Sequence, residues 1–220
     1  MVFNHEVLFI HLGKTGGISV MHYMLKSLKP PVLFVENTEY FHTNIDDGRI
    51  NIAGNRHANL NEARTMLRKY GMELSDFKLI FVIVRDPIQM ELSHYKHLRK
   101  ERVIKRLQKF HHRNRGRIEA AQLSFDEFAK SPLTHFTYEL ETFFTLDGKT
   151  PDNMQIIRFE EMIERIPKLL KPYQQKQIPF PHRNKSTEEI DIGNLSLNAL
   201  QNIRKKYGWI YEHGLYKSPV

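Results

Sequence analysis

Cysteine is absent from the 220 residues, which excludes a disulfide-stapled fold, a thiolate metal site and a thiol nucleophile together. Long apolar runs are absent as well. No stretch reaches the roughly 18 consecutive apolar residues that a membrane helix needs, and the start lacks a basic region followed by an apolar run and a small-residue cleavage site. These absences lead to the expectation of a chain at home in a reducing cytoplasm, with no membrane span. Gln-, Ser- or Pro-rich tracts are also missing, and 40% hydrophobic with 26% charged residues is the balance of a chain that folds around a core. The length allows one sizeable core, so a single domain over residues 1–220 is expected.

Acidic residues are the scarce charged class, 25 against 33 Lys and Arg, for a formal charge of +8. The excess is local. Segment 99–117, RKERVIKRLQKFHHRNRGR, holds nine basic residues and one Glu, which alone accounts for the net charge. It reads either as a solvated helix and loop or as a surface that meets a polyanion, such as a sulfated or uronate-bearing glycan or a nucleic acid.

Short apolar runs rich in β-branched and aromatic residues lie at 7–11, 32–35, 50–53, 79–84 and 155–159, the form of strands buried on both faces. Helical patterns lie between them, at 18–28, 60–70, 88 to about 108, 125–130, 135–144, 160–171 and 195–207. Strands alternating with helices predict an α/β fold with a central, mainly parallel sheet. Ser124 and Glu127 have the spacing of a capping box, and Pro87 suits the first turn of a helix. Segment 172–194, with Pro172, Pro179, Pro181 and Gly193 and no clear period, reads as a loop packed over the sheet edge.

Two constellations carry chemistry. In the first, Val7-Leu-Phe-Ile-His-Leu-Gly-Lys-Thr-Gly-Gly-Ile-Ser19, a buried strand runs through a tight Gly-rich turn into a helix. Backbone N–H groups of such a turn converge with those of the helix start, Gly16 and Gly17 let the backbone come close, and Lys14 adds a full charge. Thr15 and Ser19 can add hydroxyl donors. Leu8 stands where the triphosphate P-loop needs its leading glycine, so a smaller phosphate group is the expected guest rather than the triphosphate of a kinase. In the second, Arg85 closes the strand 79–84, Pro87 starts a helix, and Ser93 follows eight residues after the arginine. The carboxyl ends of strands are where open α/β sheets bind ligands, and a guanidinium can grip phosphate through two parallel N–H bonds.

Together, Gly13-Lys-Thr-Gly-Gly-Ile-Ser19 and Arg85-Asp-Pro-Ile-Gln-Met-Glu-Leu-Ser-His-Tyr95 resemble the carbohydrate sulfotransferases. The likeness is to the branch of heparan sulfate 2-O-sulfotransferases and their bacterial relatives. The resemblance implies a P-loop-like three-layer fold and a cytoplasmic, bacterial-type enzyme. Its co-substrate would be 3′-phosphoadenosine 5′-phosphosulfate (PAPS), and its acceptor a carbohydrate hydroxyl, with an anionic glycan the favoured partner and nucleic acid not. By the same likeness, residues 14–19 (Lys14, Thr15, Gly16, Gly17, Ile18 and Ser19) hold the 5′-phosphosulfate, and Arg85 with Ser93 holds the 3′-phosphate. Asn184, Lys185 and Ser186 resemble an element that closes over the nucleotide, although an ordinary polar loop would read the same. Ile18 stands where the family usually has a hydroxyl residue, Met90 where it has a second Arg, and Gly13 where it has Pro.

Sulfuryl transfer to a hydroxyl needs a base for the hydroxyl proton and a positive group on the leaving oxygen. Lys14 fits the second role. For the first, His57 follows the strand 50–53 in Ile52-Ala-Gly-Asn-Arg-His-Ala-Asn59, and the resemblance points to a histidine in this region. His42, His11, Glu36 and Glu62 stay open as alternatives. No metal is expected, because His111-His112 lacks a third ligand at a convincing spacing. A P-loop-like small-molecule kinase and a non-catalytic basic module that binds glycan or nucleic acid are the competing readings.

Overall fold

A computed structural model of the chain describes residues 1–36, 48–109, 111–131, 140–181 and 193–220. They divide into two compact units, one drawn from Met1–Arg85 and Glu141–Lys185, the other from Asp86–Leu140 and Ser186–Val220.

The first unit holds a six-stranded sheet. Its strands are β1 (Val2–Phe3), β2 (Val7–Ile10), β3 (Val32–Glu36), β4 (Arg49–Ala53), β5 (Leu79–Val84) and β6 (Met154–Arg158), in the spatial order β4-β3-β1-β2-β5-β6. The pairs β2–β5, β5–β6 and β3–β4 are parallel. The fold is therefore α/β with a mainly parallel central sheet flanked by helices, as expected. The exception is β1, antiparallel to both β2 and β3 and too short to show a sequence period. It is set by Asn4, whose Oδ1 accepts from the N–H groups of Glu6 and Val7 at 3.0 and 2.9 Å and so turns the chain into β2.

One face of the sheet carries Val7, Phe9, Leu79, Phe81 and Ile83, buried against α1 (Gly17–Ser27) and α7 (Met162–Leu170) through Val20, Tyr23, Met24, Ile166 and Leu170. Each such side chain contributes about 1.5–3 kcal/mol on burial. The register Val7↔Leu79 to Ile10↔Val82 ends β2 and β5 side by side, so the loops after them leave the sheet together. The described start of segment 172–194 packs against α1. Gln174 donates to the Tyr23 hydroxyl at 2.6 Å, and Phe180 sits 5.2 Å from the Tyr23 ring.

The second unit is helical: α3 (Pro87–Leu98), α4 (Glu101–Gln108), α5 (His111–Ala120), α6 (Phe125–Lys130), α8 (Leu197–Lys206) and α9 (Gly208–Glu212). The single helix expected over 88–108 breaks at Arg99 and Lys100. A straight helix continuing the buried stripe of Tyr95 and Leu98 would turn Arg102 and Lys105 inward. The break re-phases it, and Val103 and Leu107 are buried instead. Arg99 turns back to donate to the Tyr95 hydroxyl and the Ala121 carbonyl, each at 3.0 Å. The capping box of Ser124 and Glu127 starts α6 as its spacing predicts. Helix α5 carries no apolar period and was not expected. Of the helix expected over 135–144, only the 3-10 turn Leu140–Phe143 lies within the described residues. No helix among those residues is long and apolar enough to cross a membrane.

Candidate functional site

After β2 the chain turns through residues 11–16 into α1. Thr15 closes the turn by donating its hydroxyl to the Leu12 carbonyl at 2.7 Å and is fully buried. The one proton of that hydroxyl is spent inside the turn, so in this arrangement the Thr15 side chain is not the free donor that was expected. Lys14 and Gly16 take left-handed conformations, φ 66° and 78°. Alternating handedness of this kind aims successive N–H groups into one concavity, a nest for an anion. A Cβ on Gly16 would lie 3.0 Å from Met162 Sδ and from the Phe159 ring, so the position needs glycine for both space and φ. No side chain caps α1 at Gly16, whereas Asp86 caps α3 by accepting from the Gln89 N–H at 2.9 Å. Within that first turn the Ser19 N–H bonds back to the Gly16 carbonyl at 2.9 Å, and a helix start without a side-chain cap is a setting that suits an anion. Ser19 is buried, and Ile18, in the first turn of α1, is 40% exposed.

Arg85 leaves the end of β5 next to this turn. Its Nη1 approaches the Lys14 carbonyl at 3.5 Å, and its guanidinium lies over the Phe159 ring, 4.4 Å from the centroid. Arg85 thus meets the main chain of the turn with its guanidinium placed over an aromatic ring. Sequence reasoning placed Phe159 at the end of a strand; it opens the 3-10 turn Phe159–Glu161 instead, and nothing in its sequence context marks it as a support for Arg85.

His57 lies in the turn between β4 and α2 (Leu60–Arg68). Asn55 shapes that turn, its Oδ1 accepting from the His57 N–H at 3.0 Å. Asn59 and Glu62 form a capping box at the start of α2, and Asn55 also donates to Glu62 at 3.3 Å. Glu62 is thereby committed to the cap. His57 Nδ1 lies 2.9 Å from the main-chain oxygen of His11. A carbonyl can only accept, so Nδ1 carries the proton and Nε2 the basic lone pair. The His11 ring lies 4.4 Å from that of His57 and is stacked on Phe9 at 5.5 Å. Burial, with His57 close by, holds the His11 pKa well below the usual histidine range, so His11 stays neutral at physiological pH.

Ser93 lies on α3, half-buried, in the helical unit. Asn184, Lys185, Ser186 and His42 fall outside the described residues, as does the Glu36 side chain. Among the described residues no group of three His, Cys, Asp or Glu is arranged to hold a metal ion.

A buried strand, a left-handed turn with no side-chain cap on the helix it opens, and Arg85 against that turn lie together at the carboxyl end of the sheet. The model of the sulfotransferase family matches residues 1–208, and the chain belongs to that family. No curated protein and no solved structure matches it.

Proposed function

We propose that this sulfotransferase uses PAPS as donor and a carbohydrate hydroxyl as acceptor, in the manner of the 2-O-sulfotransferase branch. The observation that carries this reading is that Arg85 and His57 both reach the main chain of the segment that opens α1, at the carbonyls of Lys14 and His11. The nest and the uncapped start of α1 suit a 5′-phosphate, and Arg85 on its Phe159 floor suits the planar grip a second phosphate invites. Ser93 is assigned to that second phosphate by the motif, and Asn184, Lys185 and Ser186 to closure over the nucleotide. The family match runs through both units, in keeping with one catalytic domain.

The nucleotide, when bound, supplies an activated sulfuryl group joined to a phosphate leaving group. His57 Nε2 takes the proton of the acceptor hydroxyl as its oxygen bonds to sulfur, and the hydrogen bond from Nδ1 to the His11 carbonyl steadies the imidazolium that forms. The Lys14 ammonium meets the charge left on the phosphate oxygen as the old S–O bond breaks. For the acceptor, the exposed basic side chains of α4 favour an anionic glycan.

Calorimetric titration with 3′-phosphoadenosine 5′-phosphate, beside ATP with Mg²⁺, tests the donor. We expect micromolar binding of the bisphosphate, weakened tenfold or more by Arg85→Ala, with ATP far poorer. A preference for ATP would overturn the reading in favour of a kinase.

A further inference from the structure

The ring proposed as base and the turn that opens α1 meet at the side chain of His11. His11 is 4% exposed, and its surroundings are specific on every side. Phe9 stacks on one face, the His57 ring tilts against it at 54°, and a Cβ added to Gly17 would fall on its imidazole. Its own carbonyl accepts the hydrogen bond of the His57 Nδ1–H. The first helical residue behind the phosphate nest and the ring proposed as base are therefore both set by one side chain and its backbone.

We infer that His11 is a positioning residue: its imidazole is a wedge between Gly17 and His57 that fixes the base ring against the donor turn, while its carbonyl selects the tautomer with the lone pair on Nε2. The role needs the ring's shape and place rather than its proton. Burial keeps that proton off, so His11 neither competes with His57 for the acceptor's proton nor places a charge beside it. Gly17 is required for the same reason, since any side chain there would displace the wedge. The inference rests on His57 as base and extends it to what holds the base in place.

The test combines side-chain ¹⁵N NMR of the histidines with kinetics. In the wild-type protein, neutral His57 should show the Nδ1–H tautomer, and His11 should remain neutral while His57 titrates. Replacing His11 by alanine should give His57 a mixture of tautomers and lower kcat at least tenfold, with bisphosphate affinity within threefold of wild type. His11→Phe, which restores a ring, should recover kcat to within about threefold. An Nε2–H tautomer in the wild type, or unchanged tautomer and kcat in His11→Ala, overturns the wedge. Parallel loss of kcat and bisphosphate affinity does so too, because His11 would then only support the turn. The wild-type NMR measurement stands even if a variant fails to fold. Failure of the base reading has a different signature: His57→Ala would leave kcat and its pH profile intact.

Discussion

Arg85 is the residue at which packing and proposed binding can be separated. Its guanidinium lies over Phe159, a contact worth about 0.5–1 kcal/mol when partly exposed, and the same ring borders Gly16 of the phosphate turn. Phe159→Leu should therefore weaken bisphosphate binding about two- to fivefold by calorimetry. The loss should vanish in an Arg85→Ala background if the ring acts through the guanidinium. An equal loss in both backgrounds would place its effect on the turn instead. Lys14, Gly16, Gly17 and Arg85 were legible in sequence because each is demanded by local chemistry: a cation, a positive φ, a close approach, a strand end. Phe159 and the wedge of His11 were not. Their roles depend on which strands lie side by side, and a phenylalanine or a buried histidine in an apolar run looks the same whether it supports a site or only a core.

Helices α3 and α8 are tied through a polar knot inside the second unit. Glu91 is 1% exposed; its Oε1 accepts from the Tyr207 hydroxyl at 3.0 Å and faces Lys206 Nζ at 3.6 Å, while Oε2 has no hydrogen-bond partner among the described residues. Burial raises the Glu91 pKa and lowers that of Lys206, so the environment disfavours both ions. A carboxyl whose folded pKa is raised contributes stability that is complete below its unfolded value and is lost as pH rises through the folded one. Over the same range the lowered pKa values of His11 and of the buried N-terminal ammonium add stability as pH rises, so the share due to Glu91 is a fall from about pH 4.5 towards neutrality that urea unfolding reads against a variant lacking it. The pair Glu91→Gln with Lys206→Met should flatten that fall and be at least as stable at pH 7, whereas Lys206→Met alone should cost on the order of 3 kcal/mol there. Parallel pH profiles of the wild type and the paired variant would show that Glu91 ionises without penalty. At this scale the sequence revealed most of the sheet, because runs such as Leu79–Val84 are apolar without interruption. It hid β1, at two residues too short for a period, and α5, whose residues 111–117 carry no apolar stripe. The break before α4 could have been found from the shift of apolar residues to Val103 and Leu107.

Across the whole molecule, the net charge of +8 resides in residues 99–117, but the fold does not present that segment as one uniform surface. Arg99 turns inward to the Ala121 carbonyl, Lys105 pairs with Glu101 at 2.6 Å, and Arg115 pairs with Glu119 at 2.8 Å. Arg102, Arg106 and Lys109 remain exposed on and just after α4, where they can draw in a polyanion without forming part of the phosphate turn. Exposed charges act over about 10 Å at 0.1 M salt and about 3 Å at 1 M, so their contribution must fade as salt rises. Replacing all three with alanine should raise KM for a uronate-bearing glycan several-fold at low salt and little at high salt, with kcat and bisphosphate affinity unchanged. Equal KM values at low salt would mean that this face is merely solvated and that the acceptor is chosen elsewhere. A rise that persists at 1 M salt would mean that these side chains contact the sugar directly rather than through the field they share.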